Sequence, residues 1–187
     1  MKTHLPALIV LPCLFAGTVG AQTIQDLGAL PGVSGSLAQS MSADGSVVFG
    51  ISRTGAADLR GFRWTAPGGM QQIFTPNPAD RLVPERCSDA GDKIGGWHYQ
   101  PDGFISGFGW SLSGGGFYFP TRNGFPALEC LGVSRFGNCY FGAISTSSNT
   151  SQAFKWTPAG GYQLLGLLPG NANESRAFDA NEDGSII

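Results

Sequence analysis

The sequence predicts an all-β protein built from repeated four-stranded units, and three observations predict it. Aromatic and glycine positions recur every 46 residues. Apolar and polar residues alternate over short runs beside those aromatics, which is the period of a half-buried strand. Gly-Gly and Asp-Gly pairs separate the runs, and both favour tight turns. The 187 residues include 29 glycines and 13 phenylalanines, so residues for turns and for a core are both abundant.

Five sets of positions carry the repeat. Each set places one residue in each of three successive copies of the 46-residue unit: Trp64, Trp110 and Trp156; Phe62, Phe108 and Phe154; Gly45, Gly91 and Gly137; Gly50, Gly96 and Gly142; Gly69, Gly115 and Gly161. The segment 26–32 returns 138 residues later as 164–170. A fourth copy begins its turn at Asp183, one residue out of phase with Asp44. We therefore expect about three and a half units and a chain that stops within the fourth.

Four short strands are predicted in each unit. The run 154–156 alternates aromatic, cationic and aromatic, which places both rings on one face, and Gly160-Gly161 then turns the chain into a strand at 162–165. The runs 38–41 and 47–50 flank an Asp-Gly turn and predict a hairpin. Four strands in 46 residues suit a β-propeller blade, and stacked blades would bury the aromatic rows. An open β-solenoid or two packed sheets are the alternatives.

The N-terminus predicts export. Lys2 precedes an almost uniformly apolar run, Leu5–Phe15, and small residues follow at 19–21, as in a secretory signal peptide. We expect a signal peptide over 1–21 and a β-repeat domain over 22–187, truncated at its C-terminus. An uncleaved anchor is the alternative, although the apolar run is short for a bilayer. We expect no transmembrane segment in the mature chain.

The motifs resemble those of the HAF-type bacterial extracellular repeat. The first copy contains Asp26-Leu27-Gly28-Ala29-Leu30-Pro31-Gly32, then Ser42-Ala43-Asp44-Gly45-Ser46-Val47-Val48-Phe49-Gly50, then Gly61-Phe62-Arg63-Trp64. The resemblance extends over nearly all of 22–187, but 74–86 in the second copy and 120–129 in the third replace the Leu-Pro-Gly loop. It implies a secreted or surface-attached bacterial protein, extracellular or else periplasmic. It supplies no characterised catalytic residues.

Catalysis and nucleic-acid binding find little support in the sequence. The formal net charge is −2 and no basic stripe exists, which argues against nucleic acid. His98 is the only histidine after the leader, and no serine or cysteine signature accompanies it. We predict that His98 lies in a loop or at a blade edge, and we predict no catalytic residue.

The only local motif that suggests a cofactor is one that resembles part of a calcium-binding loop. Asp179, Asn181 and Asp183 precede Gly184 with the alternation of a calcium loop. The equivalent positions in the first copy are serines and one aspartate in a plain hairpin turn, so we favour a turn here as well.

A disulfide between Cys130 and Cys139 is the candidate cross-link, because both lie on the arms of one predicted hairpin and export favours oxidation. Cys87 would then be left over. The alternative is that all three cysteines are small buried residues.

The sequence favours a non-enzymatic scaffold or recognition module, because rigid repeats with divergent loops most often bind. Any specificity would reside in the loops 53–60, 74–86, 98–106, 120–129 and 145–151, with a surface glycan or protein as partner. Most of the aromatics 97–99 and 117–119 are expected in the core, and an exposed subset would suit stacking on sugar rings. The alternatives are a carbohydrate-active lyase or hydrolase that uses loop carboxylates, and a purely spacing role.

Overall fold

The computed structural model describes residues 24–55, 58–120, 127–147, 150–170 and 172–187. The predicted signal peptide lies outside these ranges. Within them the chain forms twelve β-strands in three four-stranded antiparallel sheets, and the described residues contain no helix. In each sheet the order of the strands follows the order of the chain. The predicted all-β repeat of stacked four-stranded blades is therefore confirmed.

Each blade corresponds to one copy of the repeat. The first blade contains β1 (Gly35–Met41), β2 (Val47–Arg53), β3 (Leu59–Thr65) and β4 (Gly69–Gln72). The second contains β5 (Arg81–Cys87), β6 (Lys93–Tyr99), β7 (Ile105–Ser111) and β8 (Gly115–Tyr118). The third contains β9 (Ala127–Val133), β10 (Tyr140–Ser147), β11 (Thr150–Thr157) and β12 (Gly161–Gly166). The first strand of each later blade packs on the blade before it, because β5 contacts β2 and β3 while β9 contacts β6 and β7.

The repeated phenylalanines lie in equivalent cores. Phe62, Phe108 and Phe154 are all fully buried. Leu30 covers Phe62, residues of the first blade cover Phe108, and Phe119 packs on Phe154 at a ring-centroid distance of 6.1 Å. Burying one such ring contributes about 2 to 3 kcal/mol. The expectation that neighbouring copies cover each other's aromatic faces is confirmed for Phe108 and Phe154, and the segment before β1 covers Phe62.

The repeated glycines of the second strands are required by close packing. A Cβ atom at Gly50 or Gly142 would lie 2.0 Å from a carbonyl oxygen of the first strand in the same blade, and one at Gly96 would lie 2.4 Å from such an oxygen. No side chain fits at these distances, so glycine recurs every 46 residues for a steric reason.

The turns between the first and second strands form a ladder along one edge of the blades. The amide of Ala43 donates to Asp89 O (2.9 Å), the amide of Asp89 donates to Arg135 O (2.7 Å), and the amide of Phe136 donates to Glu182 O (2.8 Å). Inside each turn, one side-chain oxygen accepts a hydrogen bond from the backbone amide five residues later. The residues that supply this oxygen are Ser42, Ser88, Ser134 and Asn181. The fourth copy contributes its turn to the ladder, and no strand is assigned in its described residues.

The predicted disulfide is wrong. Cys130 pairs across the sheet with Gly142, whereas Cys139 precedes the Tyr140–Val133 pair, so the two cysteines lie about 10 Å apart along the ladder. A disulfide needs Cα atoms within about 7 Å. Cys87, Cys130 and Cys139 are all buried free thiols, as the alternative expected. Burial raises the pKa of Cys130 to about 12, which leaves its thiol unreactive in the fold.

Candidate ligand-binding site

His98 is buried inside the second blade. It lies on β6, a central strand, opposite Leu82 of β5 and Ser106 of β7. Its side chain is 1% exposed. The prediction of a loop or edge histidine is therefore wrong, because the strand continues past Trp97 and the period of two turns His98 toward the interior.

Asp80 is the partner of His98. It immediately precedes β5, its side chain is also 1% exposed, and its Oδ2 atom lies 2.9 Å from Nδ1 of His98. This is within hydrogen-bond range, although the N–H bond does not point straight at the oxygen. The carboxylate favours a proton on Nδ1, which leaves the lone pair of the neutral ring on Nε2. Burial lowers the pKa of His98, and the charge of Asp80 opposes that shift.

Two hydroxyl groups also bind Asp80. Tyr118 Oη donates to Asp80 Oδ2 at 2.6 Å, and Thr75 Oγ1 donates to the same oxygen at 2.8 Å. The amide of Asn77 in turn donates to Tyr118 Oη at 3.0 Å. The Tyr118 ring stacks on His98, with 5.0 Å between centroids and 22° between planes. Burial and its bond to the carboxylate raise the pKa of Tyr118, so its hydroxyl stays protonated as a donor.

Three buried atoms of the pair lack a well-aligned hydrogen bond in the described part of the chain. His98 Nδ1 still faces Asp80, whereas His98 Nε2 and Asp80 Oδ1 face no partner there. An unpaired buried polar atom costs about 1 to 3 kcal/mol. Beside the pair lies a cavity of about 370 Å³, whose described lining is Asn77, Asp80, His98, Gln100, Ser106, Tyr118 and Phe119. We call this the second-blade cavity. A bound molecule that donates hydrogen bonds would satisfy both atoms.

The internal repeat shows that the blade does not need this pair. The position of His98 is Ser52 in the first copy and Ile144 in the third, and both are buried. In the first blade, the Ser52 hydroxyl simply ties the preceding loop, since it accepts from Leu30 N at 3.0 Å and donates to Gly35 O at 3.0 Å. Only the second copy places a titratable side chain there, and only there does the divergent loop 74–86 supply an aspartate to meet it.

Sequence reasoning missed this site because Asp80 and His98 lie 18 residues apart with no diagnostic spacing. A usable signal was present. One repeat position changes from serine in the first copy to histidine in the second, and the second is one of the two copies whose loop departs from the Leu-Pro-Gly pattern. Such a paired departure from a repeat marks a position with a role other than the shared fold.

Two of the three calcium candidates hold a turn. Asp183 Oδ1 accepts from Ser185 N at 2.9 Å, and Asn181 Oδ1 accepts from Ile186 N at 3.0 Å. Asp179 forms an ion pair with Arg86. In the described residues, no group of three or more His, Cys, Asp or Glu side chains is placed to hold a metal ion. The oxygens of Asn181 and Asp183 therefore hold the favoured turn, whereas Asp179 contacts the second blade.

The less repetitive aromatics divide as the sequence suggested. Phe119 is buried and packs in the third-blade core, and Trp97 and Tyr99 are partly buried. Tyr118 is 39% exposed and lines the second-blade cavity. One face of its ring lies against His98, and the exposed remainder is available to a ligand.

Comparisons with known proteins bear on the fold. No family model matches the chain, and no curated protein matches it. TolB from Acinetobacter baumannii is similar with a TM-score of 0.48 and 13% identity over 80% of this chain and 36% of that one. A putative TolB from Agrobacterium tumefaciens gives a TM-score of 0.50 and 14% identity over 82% of this chain and 57% of that one, so this chain spans little more than half its length. The three blades, which do not close into a ring, therefore have the stacked arrangement of a β-propeller protein.

Proposed function

We propose that this protein is an exported bacterial recognition module of the HAF repeat type, non-enzymatic, that binds a polar ligand in the second-blade cavity. One observation carries the proposal. A buried His98–Asp80 pair, absent from the equivalent positions of the other blades, leaves His98 Nε2 and Asp80 Oδ1 without a partner in the described residues, beside a cavity. Burying such a pair costs free energy, so a buried pair that the shared fold does not require is a candidate functional site.

The lining of the cavity suits a hydroxyl-rich ring such as a sugar unit of a surface glycan. His98 Nε2 and Asp80 Oδ1 accept hydrogen bonds, Gln100 and Asn77 supply amide groups, and Tyr118 offers part of an aromatic ring. Sugars present several hydroxyl donors around an apolar ring face, which matches acceptors beside an aromatic surface.

Export and a location at the cell surface or in the extracellular space, with the periplasm as the alternative, are part of the same proposal. The leader at 1–21 and the resemblance to HAF repeats support them. The described residues include no helix with the length and apolarity to cross a membrane.

A direct binding experiment tests the proposal. The full chain, expressed with its own leader, is applied to an array of neutral and acidic glycans, and hits are measured by calorimetry. His98→Ser, which restores the residue of the first copy, and Asp80→Asn should each weaken binding at least about tenfold. Gln39→Ala, an exposed residue of β1, is the control and should bind as the parent does. Glycan binding that survives both site substitutions would contradict the proposal, as would the absence of any glycan binding.

An enzyme is the second candidate, and the orientation of His98 favours it. A histidine whose Nδ1 faces a carboxylate is arranged as a general base at Nε2, and Tyr118 beside it is a potential acid. A polysaccharide lyase or hydrolase built on this pair would release unsaturated or reducing ends from glycans that bind. If such products appear and His98→Ser abolishes them, the enzyme replaces the recognition module as the conclusion.

A further inference from the structure

A second cavity of about 470 Å³ lies at the seam between the first and second blades. Three aliphatic side chains, two aromatic rings and two arginines line it. We call it the seam cavity. It is separate from the second-blade cavity, because Trp97 and Tyr99 flank His98 on β6 and project from the opposite face of that strand.

The floor of the seam cavity is apolar. Ile51, Leu59 and Val83 are buried in one cluster, and Trp97 and Tyr99 pack against it. The two rings meet edge to face at 5.2 Å. The indole Nε1 of Trp97 donates to Glu85 Oε1 at 2.7 Å, which fixes the ring. This floor is a preformed surface for an apolar or aromatic body.

The charge of the seam cavity is positive. Arg53, at the exposed end of β2, and Arg81, at the start of β5, both line it. The Arg81 guanidinium lies 4.5 Å from the centre of the Tyr99 ring, which holds it at the cavity. None of the described residues in the lining is acidic. Two guanidinium groups on one small volume attract an anion, and the planar fork of arginine suits a carboxylate or sulfonate.

The repeat again provides an internal comparison. Forty-six residues further on, the position of Arg81 is Ala127, that of Trp97 is Ala143, and that of Arg53 is Tyr99. Neither arginine of the seam cavity has a cationic counterpart at the next seam, so packing of blades does not demand these charges.

We propose that the seam cavity binds a small amphipathic anion, with an aryl or short alkyl body on the Trp97–Tyr99 floor and a carboxylate or sulfonate on Arg53 and Arg81. The site adds a second ligand class to the polar ligand of the second-blade cavity, and it does not depend on that ligand.

The test uses a matched pair of probes on the full chain. Calorimetry compares 1-naphthoate with 1-naphthylmethanol, which has the same aromatic body and no charge. Naphthoate should bind at least about tenfold tighter, because charge-assisted hydrogen bonds are the stronger kind. Raising the ionic strength should weaken the binding of naphthoate and leave the binding of the alcohol unchanged.

Variants locate the site. Arg53→Gln and Arg81→Gln should each lower the affinity for naphthoate at least about fivefold and leave the affinity for the alcohol unchanged. Arg135→Gln, which removes an exposed arginine from a turn at the opposite edge of the sheets, is the control. Equal affinity for the two probes, or no saturable naphthoate binding, overturns the proposal without any variant. Unchanged naphthoate affinity in both site variants overturns it as well.

Discussion

Nδ1 of His98 lies 2.9 Å from Oδ2 of Asp80, and each side chain is 1% exposed. A charge in such surroundings is tolerated only with partners, and Thr75 and Tyr118 supply two further donors to the same carboxylate. The neighbouring blades reach the same fold with serine or isoleucine in place of the histidine. The pair is therefore an addition to the blade, and removing its two members together or singly should have different effects.

Removing Asp80 alone should be costly for stability. Asp80→Ala leaves His98, Thr75 and Tyr118 without their shared acceptor, and we expect a loss of about 3 kcal/mol in the free energy of unfolding. The double variant Asp80→Ala with His98→Ile, which installs the residue type of the third copy, should lose less than the sum of the single variants. Urea denaturation of the four proteins completes the cycle. Additive losses would show that the two side chains do not interact.

The stability of the chain should fall between pH 7.5 and pH 5. The pKa of His98 is lowered in the folded chain below its usual 6.5, so the unfolded state binds more protons in this window. The neutral histidine therefore stabilises the folded state at pH values above the pKa of His98 in the unfolded chain. This contribution is lost as the pH falls toward the lower pKa that His98 has in the folded chain.

Carboxylates also make the stability depend on pH, but at lower pH. The pKa of Asp44 is about 2, and the pKa values of Asp179 and Asp183 are also lowered. His98→Ile removes only the histidine contribution. Its free energy of unfolding, measured by denaturation across the range, should vary less with pH than that of the parent. The same slope in both proteins would contradict the assignment.

Substitution of the second-strand glycines should disrupt a blade. An alanine Cβ at Gly142 would sit 2.0 Å from Glu129 O, a backbone atom that cannot move without breaking the sheet. We expect Gly142→Ala to cost about 2 kcal/mol or more. Gly35→Ala is the matched control, because its nearest neighbour would be 3.9 Å away. Thermal unfolding should separate the two variants, and similar melting temperatures would refute the steric account.

The cysteines should be insensitive to redox conditions. Cys87, Cys130 and Cys139 are free and buried, so a reductant should leave the melting temperature unchanged. Iodoacetamide should modify them only after unfolding, and mass spectrometry of native and denatured samples measures this. A drop in melting temperature on reduction would show that a disulfide forms after all.

The parts of the fold governed by period were predictable from sequence. Phe62, Phe108 and Phe154 recur at one spacing, and burial in equivalent surroundings follows from it. The strands extend two or three residues beyond several of the predicted runs, as in Val47–Arg53, because ladder pairing continues where hydrophobic alternation fades.

Features that depend on how the chain crosses between copies were not predictable. The path of the loop 74–80 brings Asp80 to His98, and no local pattern reveals that path. Register shifts between β9 and β10 set the separation of Cys130 from Cys139. The seam cavity joins residues of two blades, so neither copy alone contains its signal.

The turn ladder has a consequence for how such a chain evolves. Successive copies are joined there by main-chain amides and carbonyls, which any residue other than proline supplies. A copy gained or lost by unequal recombination therefore meets its new neighbour through the same main-chain contacts at this edge. The ladder does not depend on the loops at the opposite edge, and these loops have diverged in both the second and the third copies.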